Sequence, residues 1–181
     1  MNRSCARKTA SVPIGKEVDI AVDGNRPMPA YRHGEGVAAY VKRLREASPM
    51  QMVDVERQGV ASVFIEDLAR RMELPPSRVF ALLGVPAATA RRKVASGAFI
   101  NGQAGLAAIG IIRLIGDAQD IVDDSTSTDA CRFDTVKWLG QWLERPQPAL
   151  GGHAPADYLD TPTGIQIVSK LLGAISSGVY L

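Results

Sequence analysis

The stretch Pro75-Pro76-Ser77-Arg78-Val79-Phe80-Ala81-Leu82-Leu83-Gly84-Val85-Pro86-Ala87-Ala88-Thr89-Ala90-Arg91-Arg92-Lys93-Val94-Ala95-Ser96-Gly97 decides the fold. Proline at its start is tolerated only in the first turn of a helix, which predicts a helix from Pro76 to Leu83. Gly84-Val85-Pro86 is a tight break. A second helix is expected from Pro86 to about Ser96, stopped by Gly97. Two short helices joined in this way have the dimensions of a helix-turn-helix.

The second helix can be placed on a wheel of about 100° per residue. Ala87, Ala90 and Val94 then form its apolar stripe. Thr89, Arg92 and Ser96 lie nearly opposite, with Lys93 close by. Arg91 falls toward the apolar edge, where its stem can pack while its head reaches a phosphate or an acid. The outer face therefore offers cations and hydroxyls. Arg binds guanine O6 and N7 at two points, and short hydroxyls bind phosphate oxygens. Thr89, Arg91, Arg92, Lys93 and Ser96 are thus the candidate DNA-binding residues. An ordinary helical hairpin with a solvated basic face is the alternative.

Working outward, residues 1–34 are sparse in apolar side chains and carry Pro13, Gly15, Gly24, Pro27, Pro29 and Gly34. They read as a flexible or loosely attached N-terminal arm. Glu35 to Ala47 can form a helix with Val37, Tyr40, Val41 and Leu44 on one face, and Gln51 to Gln58 a second, ended by Gly59. Ser62 is expected to cap a helix over Val63 to Met72, with Phe64, Leu68 and Met72 on its buried side. A long helix is expected from Asn101 to about Val122, with the stripe Ala108, Ile111, Ile112, Ile115, Ala118 and Val122. After the polar loop Asp123–Asp129, a helix over Phe133 to Leu143 carries Trp138 and Trp142, which are read as core. A last helix starts at Pro162, capped by Thr161 or Asp160, with Ile165, Val168, Leu171, Leu172 and Ile175 inside. No strand stands out, so the expected class is all-α. The domain limits are placed at 1–34 for the arm, 35–125 for the helix-turn-helix domain and 126–181 for a C-terminal module.

That module contains Trp142-Leu143-Glu144-Arg145-Pro146-Gln147-Pro148-Ala149-Leu150-Gly151-Gly152-His153-Ala154-Pro155 and Tyr158-Leu159-Asp160-Thr161-Pro162-Thr163-Gly164. Prolines fix φ and glycines permit positive φ, so alternating them with buried-type residues builds a sharply turned surface. It carries no set of groups suited to catalysis and reads as a surface made to be bound.

The composition sets bounds. With 181 residues and 46% hydrophobic content, the chain can bury a real core in one domain or two small ones. Met1 to Ala10 has no apolar run, so no signal peptide is expected. The longest uncharged run, Val94 to Ile112, is broken by Gly97, Asn101, Gly102, Gln103, Gly105 and Gly110, which argues against a membrane span. Cys5 and Cys131 stand alone, in keeping with a reducing cytoplasm. Charge is unevenly placed. Residues 60–116 hold seven Lys/Arg against three Asp/Glu, a net of +4. Residues 117–181 hold four against nine, a net of −5. A basic middle and an acidic end suggest different partners for the two parts.

The order of these features resembles the Xre/MbcA/ParS family of type II antitoxins. The matching residues are Trp142-Leu143, Pro146, Ala149-Leu150-Gly151-Gly152, Pro155, Leu159-Asp160-Thr161, Gly164, Val168, Leu171-Leu172, Ile175 and Gly178-Val179, with Thr89-Ala90-Arg91-Arg92-Lys93 in the helix-turn-helix. The sequence departs from the family pattern at Gln147, where Asn is usual, and at Gln103-Ala104-Gly105-Leu106, where the helix usually opens with an acid, a Ser and an Arg. The resemblance implies a non-enzymatic antitoxin with no cofactor and no metal, acting as a homodimer on two partners. One is a RES-domain toxin that consumes or transfers from NAD⁺; the other is operator DNA. It implies a toxin-binding surface whose candidates are Leu150, Gly151, Gly152, Pro155, Leu159 and Gly164. The chain end, Val179, Tyr180 and Leu181, is a further candidate: it offers apolar side chains and a carboxylate to a nucleotide cleft.

Two rivals stand beside this reading. One is a helix-turn-helix transcription regulator whose C-terminal module binds a non-toxin protein. The other is a hydrolase or metal enzyme built on His153 with Asp157 and Asp160, a weak constellation. Gly151-Gly152 lacks the Lys-Ser/Thr pair of a phosphate-cradling loop.

Overall fold

The computed structural model describes residues 29–32, 34–124 and 133–176. In chain order these form α1 (Val37–Arg45), α2 (Pro49–Gln58), β1 (Val60–Ala61), α3 (Ser62–Met72), α4 (Pro76–Leu82), α5 (Ala87–Ala95), β2 (Phe99–Ile100), α6 (Gly102–Asp123), α7 (Thr135–Leu143) and α8 (Pro162–Ser176). Short 3₁₀ turns at Pro148–Leu150 and Pro155–Tyr158 lie between α7 and α8. The fold is all-α, with one addition to the sequence reading. Val60 and Ala61 pair antiparallel with Ile100 and Phe99. A two-residue strand has no readable periodicity, which is why it escapes a pattern search. The pair closes the loop made by α3, α4 and α5.

Helix α6 is the central rod, about 33 Å long at 1.5 Å per residue. It is buried on more than one side: Ala107, Ile109 and Leu114 are covered as well as the expected Ala108, Ile111, Ile112, Ile115 and Ala118. Helices α1, α2, α7 and α8 all pack on it. Glycines allow two close approaches. A Cβ on Gly110 would lie 2.3 Å from Ile165 Cδ1 of α8, and one on Gly140 of α7 would lie 2.6 Å from Met72 Cβ of α3. The C-terminal helices therefore join the same hydrophobic core as the basic middle of the chain.

Three local expectations change. Helix α2 begins two residues early, because Pro49 fits its first turn and Ser48 caps it. The Gln51 N–H donates to Ser48 Oγ at 3.3 Å and the Ser48 N–H to Gln51 Oε1 at 3.0 Å. Ser62 is not a cap: it is the first residue of α3, fully buried, and its hydroxyl donates to the Lys93 carbonyl at 3.1 Å. Within the stretch read as part of the arm, residues 29–32 are described, and one of them belongs to the core. Tyr31 is buried in an edge-to-face cluster with Tyr40 and Phe64, and its hydroxyl donates to Asp67 Oδ2 at 2.5 Å.

Candidate partner-binding surfaces

Two surfaces carry the residues singled out by the sequence. The first is the α4–turn–α5 unit. Gly84 has φ of 69°, which suits glycine and lets the chain reverse between the helices. At the far end of α5, the Gly97 N–H donates to Val94 O at 3.1 Å and the Ala98 N–H to Lys93 O at 2.9 Å, with Gly97 at φ 62°. This is the left-handed helix stop expected of a C-terminal glycine. Arg91, Arg92 and Ser96 are exposed and Thr89 is half-buried. Neither Arg91 nor Arg92 has an ion-pair partner among the described residues.

Three orientations on α5 differ from the wheel. Ala87 is exposed and so lies outside the buried stripe, which here rests on Ala90 and half-buried Val94. Arg91 points to solvent instead of packing at the apolar edge. Lys93 turns inward: it is half-buried, and its Nζ donates to the Phe99 carbonyl at 2.6 Å. A four-carbon stem lets a Lys head lie far from the direction of its Cβ, which a wheel cannot anticipate. The Ser96 hydroxyl donates back to Arg92 O at 3.0 Å, leaving its lone pairs for another donor.

The second surface is the turn between α7 and α8. Its organiser is Gln147, which is buried. The Gln147 N–H donates to His153 O at 3.0 Å; its own carbonyl accepts from Leu150 and Gly152, each at 3.0 Å. Its side-chain amide donates to Arg145 O at 3.1 Å. These bonds set a compact loop that holds Pro146, Pro148, Ala149, Gly151, Gly152 and His153 exposed and Leu150 half-buried. Gly151 and Gly152 have φ of 65° and 87°, and a Cβ on either would meet open space. Their N–H groups donate to Pro148 O and Gln147 O, both at 3.0 Å, so they are not left to cradle an anion. What remains outward is glycine main chain flanked by Pro146, Pro148, Ala149 and His153.

The other turn candidates are buried. Leu159 is fully covered by the core, and Pro155 is buried too. Gly164 sits where a Cβ would be 1.9 Å from the Tyr158 carbonyl oxygen, and its N–H donates to Thr161 Oγ1 at 3.1 Å. These three shape the module from within instead of lining its surface. Val179, Tyr180 and Leu181 lie outside the described residues. His153 is exposed, with Nδ1 4.0 Å from Asp157 Oδ2, beyond hydrogen-bond reach. Among the described residues, no cluster of His, Cys, Asp and Glu could hold a metal ion, and no helix is long and apolar enough to cross a membrane.

The two surfaces are tied together by contacts that sequence spacing does not reveal. Arg78 of α4 donates through Nε and Nη2 to the two carboxylate oxygens of Glu144, at 2.9 and 3.0 Å. These bonds raise the already high pKa of the guanidinium, and the Asp157 charge adds to the effect. The Gln103 amide donates to Asp160 O at 2.8 Å, so the residue that departs from the family pattern has a structural task. Just before α7, Phe133 stands 45% exposed against Trp138, which stacks on Trp142 at 5.9 Å between ring centroids.

Comparison with known proteins bears on the second surface. The family described as the antitoxin Xre/MbcA/ParS C-terminal toxin-binding domain matches residues 118–178, which include α7, both 3₁₀ turns and α8. A protein of Sphingobium sp. (strain YBL2) named Prs ADP-ribosylating antitoxin is 33% identical over 148 residues. The similarity covers 81% of this chain and 92% of that protein, so it extends through the α4–α5 unit as well.

Proposed function

Since the chain belongs to the Xre/MbcA/ParS family of antitoxins, we propose that it neutralises an ADP-ribosylating toxin of the RES type and represses its own operon. In this reading it is a binding protein with no catalysis of its own, working as a homodimer in the cytoplasm. The observation that carries the toxin half is the fixed, outward Pro146–His153 turn inside the matched toxin-binding region. Its main chain is bonded before any partner arrives, so little conformational entropy is lost on docking. The relative's name points to ADP-ribosylation as the toxin's chemistry.

The operator half is supported by α5. It presents two arginines without partners among the described residues, next to a tight turn, on a helix of nine residues. A dimer would place two such helices on half-sites about 34 Å apart. The exposure of the turn and its internal hydrogen bonds support its reading as the docking surface.

Co-expression with a RES-domain toxin, encoded beside the chain's own reading frame if the proposal holds, tests it. Co-purification and loss of NAD⁺ consumption by the toxin are expected. Operator binding is read by mobility shift with DNA from upstream of the chain's own reading frame. Arg92→Ala should lower that affinity by about 1–3 kcal/mol if Arg92 meets a guanine. A chain that leaves the toxin fully active and unbound would refute the toxin half.

A further inference from the structure

Lys93 lies in the run of cations that a DNA-binding helix would present, yet its contacts are internal. Its ammonium donates to the Phe99 carbonyl at 2.6 Å, with Asn101 Oδ1 3.4 Å away. Its own carbonyl accepts from the buried Ser62 hydroxyl at 3.1 Å and from the Ala98 N–H at 2.9 Å. The Ser62 N–H in turn donates to Ala98 O at 3.1 Å. Residue 93 therefore joins three elements: the last turn of α5, the first turn of α3, and β2 next to its pairing with β1. Nothing else among the described hydrogen bonds ties the end of α5 to both neighbours. A helix held at one end by such a joint is fixed in rotation about its own axis. That rotation decides where Arg92 and Arg91, one and two residues back, point.

We infer that Lys93 is a positioning residue for sequence reading, setting the rotation of α5 so that Arg91 and Arg92 meet base edges, and is not itself a phosphate contact. The inference rests on the operator-binding reading above. It separates two roles that leave different thermodynamic marks. A phosphate contact contributes to every DNA sequence alike and adds about 0.9 to the salt slope. A positioning residue leaves the slope alone and affects the ratio of specific to non-specific affinity, because misdirected arginines still bind phosphates.

Two variants of the full-length chain test this, Lys93→Met and Ser62→Ala. The first keeps the stem and removes the charge and donor. The second removes the α3 hydroxyl from the Lys93 carbonyl, which keeps the Ala98 N–H and the Ser96 hydroxyl as donors from its own chain end; Ser62 is fully buried and cannot touch DNA. Each is titrated, over a series of salt concentrations, with duplex from upstream of the chain's own reading frame and with unrelated duplex of equal length. Thermal unfolding confirms that each variant is folded at the titration temperature.

The expected result is the same for both. Affinity for the upstream duplex falls at least tenfold, affinity for the unrelated duplex changes less than threefold, and the salt slope stays as in the wild type. If Lys93→Met lowers the slope by about one and weakens both duplexes alike, Lys93 is a phosphate contact and the inference fails. Unchanged discrimination in both variants overturns it as well. A wild-type chain that does not prefer its upstream duplex overturns the operator-binding reading, and this inference with it.

Discussion

Arg78 and Glu144, 66 residues apart, meet in a two-point ion pair at 2.9 and 3.0 Å between the first helix of the α4–α5 unit and the end of α7. It has counterparts elsewhere in the fold. Arg71 lies 3.2 Å from Asp134, and Arg45 of α1 lies 2.5 Å from Asp120 near the end of α6. The uneven charge of the chain thus has an internal use. Two acids of the acidic end, Asp134 and Glu144, face arginines of the basic middle, and Asp120 faces Arg45 of α1, so the surplus of each sign is not all left over for partners.

Both side chains of the Arg78–Glu144 pair remain partly exposed, 42% and 30%, so solvent screening limits its strength. A double-mutant cycle with Arg78→Ala and Glu144→Ala should give a coupling energy of about 0.5–1 kcal/mol at low salt. Urea unfolding measures it. The coupling should shrink as salt is added. A coupling indistinguishable from zero at low salt would mean the pair contributes nothing.

A fragment from Phe133 to Leu181 should not fold alone. Leu139, Leu143, Val168 and Leu172 are each fully or almost fully buried, and α7 and α8 rest on α3 and α6. Cutting the chain there leaves those faces in water. Circular dichroism of the fragment should show no cooperative thermal transition, whereas the full chain shows one. A sharp transition in the fragment would restore the separable module that the polar loop suggests.

Gly140→Ala tests the α3–α7 contact. The added methyl would lie 2.6 Å from Met72 Cβ and 2.9 Å from the Met72 carbonyl oxygen, neither of which is the end of a flexible side chain. The expected loss is about 1–3 kcal/mol. At about 2–4 °C per kcal/mol, the melting temperature should fall several degrees. An unchanged melting temperature would show that the two helices can part at little cost.

Tyr40 predicts how the chain responds to alkali. Burial pushes its phenol from 10.0 up to about 12, Arg43 opposing and Glu35 adding a little. A raised folded pKa means that the native state holds the proton longer than the unfolded chain. The contribution, about 2–3 kcal/mol for this shift, is therefore complete below pH 10 and lost between about 10 and 12. Tyr31, also raised chiefly by burial, acts in the same direction. Urea unfolding at pH 9 and pH 11.5 should show a steeper loss in the wild type than in Tyr40→Phe. Equal losses would place the alkaline sensitivity elsewhere.

How much of this was legible depends on the range of the forces involved. The ends of α4 and α5 follow from Pro76, Gly84 and Gly97, whose effects act within one turn of chain. The apolar repeat from Ala108 to Ala118 fixes α6, although it did not reveal that other faces of the helix are covered too. Ser62 carries a good cap residue type but spends its hydroxyl on Lys93, 31 positions away. The inward turn of Lys93 is equally hidden, because its partner is a carbonyl on a strand two residues long. For the binding surface, Gly151-Gly152 was readable as a turn; that Gln147 organises it, and that Leu159 and Gly164 lie beneath it, required the packing.

The central claim is that the exposed Pro146–His153 turn docks on the toxin. Ala149 is exposed in that turn, so Ala149→Arg adds bulk and charge at the surface without touching the core. The decisive measurement is the affinity of purified wild type and Ala149→Arg for a RES-domain toxin that the wild type neutralises, by calorimetry, with melting temperatures compared. The account predicts tight binding by the wild type, at least tenfold weaker binding by the variant, and equal melting temperatures. Wild-type affinity in a folded Ala149→Arg chain would contradict it.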